Sequence, residues 1–350
     1  GQAVEWVASD ADLPPASGPD DATITVLPLG CINPVERLTG LPMPIPGPRA
    51  LASLSRAIDR ADAVIVHDAL YITSIAALVM AKIKRKPVIL IQHIAGIEFA
   101  SRIMRAVMRL ANALVTRPML RAADQVVFIS DTVRAAFATV RFRAPPQLIF
   151  NGVNAAVFRP DAAQDRAATR HSLGLPQTGK LLTFVGRFVE KKGLAIIREL
   201  ARARPDLTLA MVGAGPIDPA AWALPNVYLL GTMAPPQLTD LYRASDVLLL
   251  PSVGEGYPLV IQEALACGLP VICGEESARA DPATTPWLRG VAIDNAKPQE
   301  TAQAIAIAID GFDPSPETRS QMAQYAAANY SWSAMAQSLT TLASRLVKAR

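Results

Sequence analysis

Cysteine is scarce in this sequence, which contains three cysteines among its 350 residues. Cys31, Cys267 and Cys273 form neither a disulfide framework nor a metal-binding spacing, and this favours a reducing compartment. No apolar run approaches the roughly eighteen residues that would cross a bilayer, and no signal peptide is recognisable. We therefore expect a cytoplasmic protein without membrane-spanning helices.

A large charge of either sign is also missing. The chain has 34 lysines and arginines against 30 aspartates and glutamates, which leaves a net charge of +4. This excess favours anionic partners such as phosphates or a lipid surface, but it is too small to indicate nucleic-acid binding. Hydrophobic residues make up 51% of the chain, so its length is sufficient for two domains with separate cores.

Residues 247–267 have the pattern of a strand, a tight loop and a helix. The apolar run 247–251 is typical of a strand that is buried on both faces of a parallel sheet. Gly254 and Gly256 permit a tight loop, and Pro258 suits the first position of the helix, where its missing N–H has no partner to lose. The free N–H groups at the start of this helix predict an anion-binding site.

Two carboxylates flank that helix start. Glu255 lies in the loop, and Glu263 lies about five residues into the helix, roughly 7 Å further along its axis. Since carboxylates accept hydrogen bonds from hydroxyls, a polyhydroxylated ligand that carries a phosphate would satisfy both the acids and the N–H groups. The alternative is that Glu255 only complements the helix dipole and that Glu263 is a solvated helix residue.

A basic loop follows an earlier predicted strand, 181–186, which ends at Gly186. In this loop Arg187 offers a planar fork for phosphate oxygens, and Lys192 offers a point charge. Ligands of open parallel sheets bind beyond the carboxyl ends of the strands, so we expect this loop to converge with the loop that carries Glu255. The alternative is a pair of solvated surface cations.

These two runs resemble glycosyltransferase family four, whose signature is a Gly-Arg…Lys-Gly loop together with a Glu-x7-Glu loop and helix. Further matches are the run Asn-Gly-Val-Asn…Phe-Arg-Pro at 151–160 and the group Tyr242…Ser245-Asp246. The resemblance covers nearly the whole chain. It implies an α/β protein of GT-B architecture, in which two Rossmann-like doubly wound domains face a central cleft.

The resemblance also implies the domain boundaries. Residues 1–160 would form an acceptor-side domain that the C-terminal helix 332–348 completes, and residues 175–330 would bind the nucleotide sugar. Family members normally have a strand, a Gly-rich loop and a helix before the first strand that is found here. We therefore expect the sequence to begin inside the fold, and a natural fold without that portion is the alternative.

The roles of site residues follow from the resemblance, residue by residue. Arg187, Lys192, Glu255 and His93 would be catalytic, with the two cations stabilising the charge of the departing diphosphate. Glu255 would hold hydroxyls of the donor sugar, and Glu263 would hold those of the ribose. The other donor-site candidates are Gly186, Gly213, Met233, Gly256, Tyr257, Leu259 and Val260.

Polar residues end two further predicted strands. His93 follows the strand 88–92, and by resemblance a histidine at this place contacts the donor sugar or its phosphate. A purely structural histidine is the alternative. His67 and Asp68 end the strand 63–68 and rank below His93, as candidates for the acceptor side.

The stretch 99–122 is predicted to be helical, with a break suggested before Pro118. It contains no acidic residue, and Arg102, Arg105 and Arg109 share one flank. A basic amphipathic helix of this kind predicts a peripheral contact with anionic lipid. The alternative is a core-facing helix whose charged face is solvated.

The expected reaction is sugar transfer from a UDP-, GDP- or ADP-sugar to the hydroxyl of a glycan or lipid-linked acceptor, in cell-envelope glycan or glycolipid synthesis. By resemblance the anomeric configuration is retained, the diphosphate accepts the proton of the acceptor, and no metal or other cofactor is expected. Two alternatives stay open. One is a nucleotide-sugar epimerase or hydrolase of the same architecture, and the other is a non-catalytic nucleotide-binding subunit.

Overall fold

The computed structural model describes residues 3–10, 24–34, 43–96, 102–161 and 165–350. These residues divide into two compact units. The first unit comprises the described residues of 1–128, 137–147 and 339–350, and the second comprises those of 129–136 and 148–338.

The amino-terminal half of the chain alternates strands with helices. Its elements are β1 (Val4–Ser9), β2 (Ile24–Leu29), β3 (Cys31–Ile32), β4 (Ile45–Pro46), α1 (Pro48–Arg60), β5 (Val64–His67), α2 (Ile72–Ile83), β6 (Val88–Gln92), α3 (Arg102–Ala111), α4 (Arg117–Ala122), β7 (Gln125–Phe128), α5 (Asp131–Ala136) and β8 (Gln147–Leu148).

Strands β5 to β8 form a four-stranded sheet in the order β5-β6-β7-β8, and β6 is parallel to both of its neighbours. Every residue of β6 is buried. Its sequence is almost continuously apolar because neither face of the strand is exposed to solvent, where polar residues would be favoured. Strands β1 and β2 pair in parallel, and the short β3 and β4 pair antiparallel. The parallel register places the ends of β5 and β6 at one edge of the sheet.

The helical run through Pro118 does not break where the sequence suggested. After α3, a π-helical segment, Asn112–Thr116, leads directly into α4, and Pro118 lies in the first turn of α4. The wider π turn accommodates the proline, which cannot donate the usual bond to the preceding turn. The start of the predicted helix at Phe99 lies outside the described residues.

The carboxyl-terminal half repeats the alternation. Its elements are α6 (Arg166–Ser172), β9 (Leu181–Val185), α7 (Leu194–Ala203), β10 (Thr208–Val212), β11 (Val227–Leu229), α8 (Pro235–Ala244), β12 (Val247–Leu250), α9 (Leu259–Ala266), β13 (Val271–Gly274), α10 (Glu275–Ala278), β14 (Leu288–Val291), α11 (Pro298–Asp310), α12 (Pro316–Asn329) and α13 (Trp332–Lys348).

The sheet of the second unit is parallel and has the strand order β11-β10-β9-β12-β13-β14. Strands β9, β10, β12 and β13 are wholly buried, and their side chains form most of the apolar core of this unit. The strand order reverses direction between β9 and β12, so the loops that leave these two strands lie side by side. Such a switch point is where open α/β sheets bind their ligands.

The last helix, α13, belongs to both units: residues to Ser338 group with the second unit, and residues from Leu339 group with the first. Within the described part of the chain, no helix is both long enough and apolar enough to traverse a bilayer.

Candidate active site

Two loops of the second unit meet at this switch point: the basic loop (186–193) after β9 and the acidic loop (251–258) after β12. The N–H of Val253 donates to the carbonyl oxygen of Lys191 at 3.0 Å. Gly193 has a φ of +73°, and a Cβ atom at this position would lie 2.2 Å from the carbonyl oxygen of Pro251. Only glycine therefore allows the end of the basic loop to pack against the start of the acidic loop.

The side chains of Lys192 and Glu255 join the two loops. Nζ of Lys192 lies 2.5 Å from Oε1 of Glu255, and the two side chains are only 14% and 12% exposed. The hydroxyl of Ser252 lies 3.4 Å from the other oxygen of Glu255. The structure thus brings together two of the predicted catalytic residues, which the sequence had assigned to different parts of the ligand.

Arg187 lies two residues after the end of β9, and its side chain is exposed. Within the described ranges no carboxylate pairs with its guanidinium. Its carbonyl oxygen accepts a hydrogen bond from the N–H of Val189 at 3.0 Å, which fixes the backbone of the loop. The guanidinium is therefore available to an anion.

Helix α9 begins at the end of the acidic loop without any side chain that caps it. Pro258 is the residue before the first helical position, one place earlier than the sequence predicted. Leu259 and Val260, both donor-site candidates, form the first turn, and Leu259 is exposed. The N–H groups of an uncapped first turn attract anions through their own dipoles and that of the helix.

Glu263 lies one turn further along α9 and is half-buried. The hydroxyl of the buried Tyr242 donates to its Oε2 at 3.1 Å. Burial raises the pKa of the Glu263 carboxyl above its ordinary value, and the hydrogen bond from Tyr242 offsets part of that shift. Tyr242, quoted above for the resemblance, therefore orients an acid of the site.

Ser245 and Asp246, which were quoted with Tyr242 for the resemblance, have structural partners. Ser245 shares a hydrogen bond of 2.5 Å with the hydroxyl of Thr183. Asp246 accepts from the N–H of Leu181 at 2.7 Å and pairs with Arg170 at 2.9 Å, at the amino ends of β9 and β12. These contacts lie at the edge of the sheet opposite to the candidate site and stabilise the fold.

Tyr257 was expected among the donor-site residues, but its side chain is 3% exposed. Its hydroxyl lies 2.9 Å from that of Tyr330, which in turn donates to Oδ2 of the buried Asp281 at 2.6 Å. The ring also packs against Phe150. A ligand would therefore contact Tyr257 through the main chain of this residue. The neighbouring Gly256 would likewise contact a ligand through its main chain.

The remaining candidates of the second unit lie at the ends of β9, β10 and β11. Gly213 has a φ of +140°, and a Cβ there would lie 1.9 Å from the carbonyl oxygen of Gly186. Its N–H donates to the carbonyl oxygen of Gly231 at 2.7 Å. Close packing of these loops accounts for the glycine at 213 without any ligand. Met233 is half-buried against the core.

In the first unit, His93 follows β6 and is half-buried, whereas His67 ends β5 and is exposed. Nδ1 of His67 lies 3.0 Å from Nε2 of His93. The N–H of His93 donates to Oδ1 of Asp68 at 2.8 Å. The three polar residues predicted at these strand ends thus form one cluster, a pairing that the sequence did not reveal.

Two family models match the chain. Glycosyltransferase Family 4 matches residues 1–157, and Glycosyl transferases group 1 matches residues 165–329. The chain belongs to glycosyltransferase family four. Within the described residues, no three side chains among His, Cys, Asp and Glu converge as a metal ion would require.

Two relatives are similar to the chain over part of their length. The D-inositol 3-phosphate glycosyltransferase of Segniliparus rotundus is 31% identical over 247 residues, which are 65% of this chain and 53% of that protein. The protein of the same name from Thermobispora bispora is 29% identical over 260 residues, which are 65% of this chain and 60% of that protein. The matches thus span little more than half of these relatives.

Solved structures establish the fold. Sucrose-phosphate synthase from Thermosynechococcus elongatus superimposes with a TM-score of 0.69 at 20% identity, over 99% of this chain and 89% of that one. Anabaena HepE, solved in complex with UDP, superimposes with a TM-score of 0.66 at 19% identity, over 92% and 86% of the two chains. The α/β fold of GT-B type that the sequence predicted is confirmed.

Proposed function

We propose that this protein transfers a sugar from a nucleoside diphosphate sugar to an acceptor hydroxyl. The observation that carries the proposal is the contact of Lys192 with Glu255, next to the uncapped start of α9. A cation, an acid and free N–H groups at one switch point match a ligand that has both phosphates and hydroxyls. A purely structural ion pair would account neither for the exposed Arg187, which no carboxylate pairs with among the described residues, nor for the open helix end.

The difficulty of this reaction is the charge that grows on the diphosphate as its bond to the sugar lengthens. Arg187, Lys192 and the first N–H groups of α9 are proposed to stabilise that charge. Each donor that is already in place contributes about 2.7–4 kcal/mol in the transition state, or roughly 10²–10³ in rate. No metal or other cofactor is needed in this proposal, because the protein itself supplies the positive charge.

The acids are proposed to orient the donor. Glu255, held by Lys192 and Ser252, would accept hydrogen bonds from hydroxyls of the sugar, and Glu263 would accept them from the ribose. Main-chain groups of Gly186, Gly213, Gly256 and Tyr257 would line the nucleotide, and main-chain groups at Met233 would hold its base. Since buried carboxylates held by other side chains need little reordering, they suit this role.

The bond changes of the proposed step balance without an enzyme nucleophile. The bond from the anomeric carbon to the diphosphate oxygen breaks, and the acceptor oxygen attacks the face that the diphosphate leaves. The proton of the acceptor hydroxyl passes to the departing diphosphate. This course retains the anomeric configuration, and His93 is proposed to assist it with a hydrogen bond to the donor sugar or its phosphate.

Donor and acceptor classes are suggested by the relatives. UDP was found bound to a neighbour with the same fold, so we propose a UDP-sugar as the first donor to test, ahead of GDP- and ADP-sugars. The names of the relatives contain a phosphorylated polyol, D-inositol 3-phosphate. We propose a hydroxyl of a polyol phosphate or of a lipid-linked glycan, and a role in cell-envelope glycan or glycolipid synthesis.

A peripheral membrane contact is part of this proposal. Val107, Leu110 and Leu114 lie at helical spacing on α3 and the π segment, and they are 51%, 59% and 67% exposed. Arg109 and Arg121 are exposed on the same helical run, which contains no acidic residue. An exposed apolar stripe beside arginines suits the surface of an anionic bilayer, where a lipid-linked acceptor would be found.

The proposal is tested with a panel of UDP-, GDP- and ADP-sugars. One nucleotide class should raise the melting temperature, and the matching sugar should appear on an added polyol phosphate or lipid acceptor. Consumption of the donor without a glycosylated product would favour the epimerase or hydrolase alternative. Binding without any turnover across the acceptor panel would favour the non-catalytic subunit.

A further inference from the structure

Two histidines of the first unit are joined by a hydrogen bond between their rings. Nδ1 of His67 lies 3.0 Å from Nε2 of His93, and the rings stack with centroids 5.2 Å apart and planes 21° from parallel. Strands β5 and β6 pair in parallel, with His67 opposite Ile91. Both rings therefore project from the carboxyl edge of the sheet, the edge at which α/β sheets bind ligands.

The backbone around the pair is fixed from several sides. Asp68 has a φ of +53°, in the left-handed region that residues other than glycine seldom adopt. In this conformation its N–H donates to the carbonyl oxygen of Ile91 at 2.8 Å, and its Oδ1 accepts from the N–H of His93 at 2.8 Å. The hydroxyl of Ser74, on α2, donates to the carbonyl oxygen of His67 at 2.8 Å.

A hydrogen bond between two neutral imidazoles has a strict consequence. One proton lies between Nδ1 of His67 and Nε2 of His93, and each neutral ring carries one proton in all. If the shared proton is on His67, then Nε2 of His67 is bare and Nδ1 of His93 carries the second proton. If the shared proton is on His93, then Nδ1 of His93 is bare and Nε2 of His67 carries the second proton. The pair always presents one donor and one acceptor.

We propose that His67 is a positioning residue for His93, because the bond between the rings holds Nε2 of His93 inward and leaves Nδ1 as the nitrogen that contacts a ligand. The chemical class of that ligand is a sugar hydroxyl or a phosphate oxygen. The inference deepens the proposed function and rests on it for the identity of the ligand. The coupling of the two rings does not depend on it.

Burial of the two rings favours a neutral state of the pair. Desolvation lowers the pKa of His93. Desolvation also lowers the pKa of His67, with a further decrease from His93 and an opposing increase from Asp68. Ser74 and the buried amide of Gln92, from the packed α2 and β6, are neutral. Two imidazolium rings at this distance would repel each other and would lose the shared proton bond, so the pair should titrate in two separate steps.

The test is histidine-selective ¹⁵N NMR on the ligand-free protein. The chain has three histidines, and His171, exposed on α6, provides a reference signal. In the wild type, His67 and His93 should respond together in two steps. His67→Phe keeps a ring but removes the nitrogen, so His93 should titrate in one step with a changed tautomer ratio. His67→Asn places an amide near the position of Nδ1 and should restore the wild-type tautomer ratio.

Kinetics supply the functional measurement. His67→Phe should lower kcat by about ten-fold, which is the effect expected from the loss of one hydrogen bond, and should leave the donor KM nearly unchanged. His67→Asn should recover most of the lost kcat. If His93 keeps its wild-type tautomer and titration in His67→Phe, the positioning role is overturned. If His67→Phe does not fold, the reciprocal test is the titration and tautomer ratio of His67 in the variant His93→Phe. Coupled titration in a protein that transfers no sugar would refute the proposed function alone.

Discussion

Nζ of Lys192 and Oε1 of Glu255 lie 2.5 Å apart, and they come from loops that follow two neighbouring strands of one parallel sheet. A lysine and a glutamate that are both largely shielded from water lose hydration, which their mutual attraction must offset. The contact therefore makes each residue dependent on the other, and this dependence can be measured.

The first prediction concerns the stability of the pair. Lys192→Met leaves the shielded carboxylate of Glu255 without its partner, so the free energy of unfolding should fall by about 3 kcal/mol. In the double variant Lys192→Met, Glu255→Gln no charge remains, and most of that loss should be recovered. Urea denaturation of the wild type, both single variants and the double variant measures the coupling. A coupling energy near zero would show that the pair does not form in solution.

Arg187 provides a second prediction, because it is exposed and makes no ion pair among the described residues. Arg187→Ala should leave the melting temperature unchanged and lower kcat by about 10²–10³. Arg202→Ala is the matched control, since Arg202 is an exposed arginine on α7 whose one ion-pair partner among the described residues is Glu199, one turn away. Equal activity of the two variants would remove Arg187 from the site.

Glu263 gives a prediction on pH. Burial raises the pKa of its carboxyl, so the folded state binds the proton more tightly than the unfolded state. The free energy of unfolding should therefore fall as the pH rises from the ordinary pKa of glutamate through the raised pKa of Glu263 in the folded state. Glu263→Gln removes that fall and keeps an oxygen that accepts from Tyr242, so at neutral pH it should melt at a higher temperature than the wild type.

The same variant should bind nucleotide about ten-fold more weakly in calorimetry, because an amide accepts hydrogen bonds from ribose hydroxyls less strongly than a carboxylate does. Tyr242→Phe is the companion variant, since it removes the hydroxyl that orients Glu263. Unchanged melting profiles and unchanged nucleotide affinity in Glu263→Gln would contradict the role of Glu263.

The apolar stripe of the first unit provides a fourth prediction. Replacing Val107, Leu110 and Leu114 by serine should abolish most co-sedimentation with vesicles that contain anionic phospholipid, because the stripe supplies the buried apolar area. Ile307→Ser is the control, since Ile307 is 75% exposed on α11 of the second unit. Wild-type protein that fails to sediment with anionic vesicles would exclude the membrane contact.

Regular elements could be predicted closely from the sequence. Strand β6 and helix α13 have the predicted bounds, because a continuous apolar run or an apolar periodicity is bounded by polar or turn residues. The convergence of the loops after β9 and β12 was also predicted correctly, since parallel strands in a doubly wound sheet place their carboxyl ends together.

Contacts between distant side chains could not be predicted in this way. Tyr257 was a donor-site candidate by resemblance to the family, and nothing in its segment indicated that its hydroxyl bonds to that of Tyr330, 73 positions away. The ring pair of His67 and His93 depends on the register of β5 against β6 and on the left-handed backbone of Asp68. Neither register nor rotamer is contained in the pattern of a single segment.

The proposed function requires that a nucleotide sugar binds at the contact of Lys192 with Glu255. Calorimetric titration of the wild type and of the double variant Lys192→Met, Glu255→Gln with UDP-, GDP- and ADP-sugars tests this claim. We predict that one nucleotide class binds the wild type and that the folded double variant binds it at least about ten-fold more weakly. Equal affinity of the two proteins, or no binding of any nucleotide sugar to the wild type, would contradict the account.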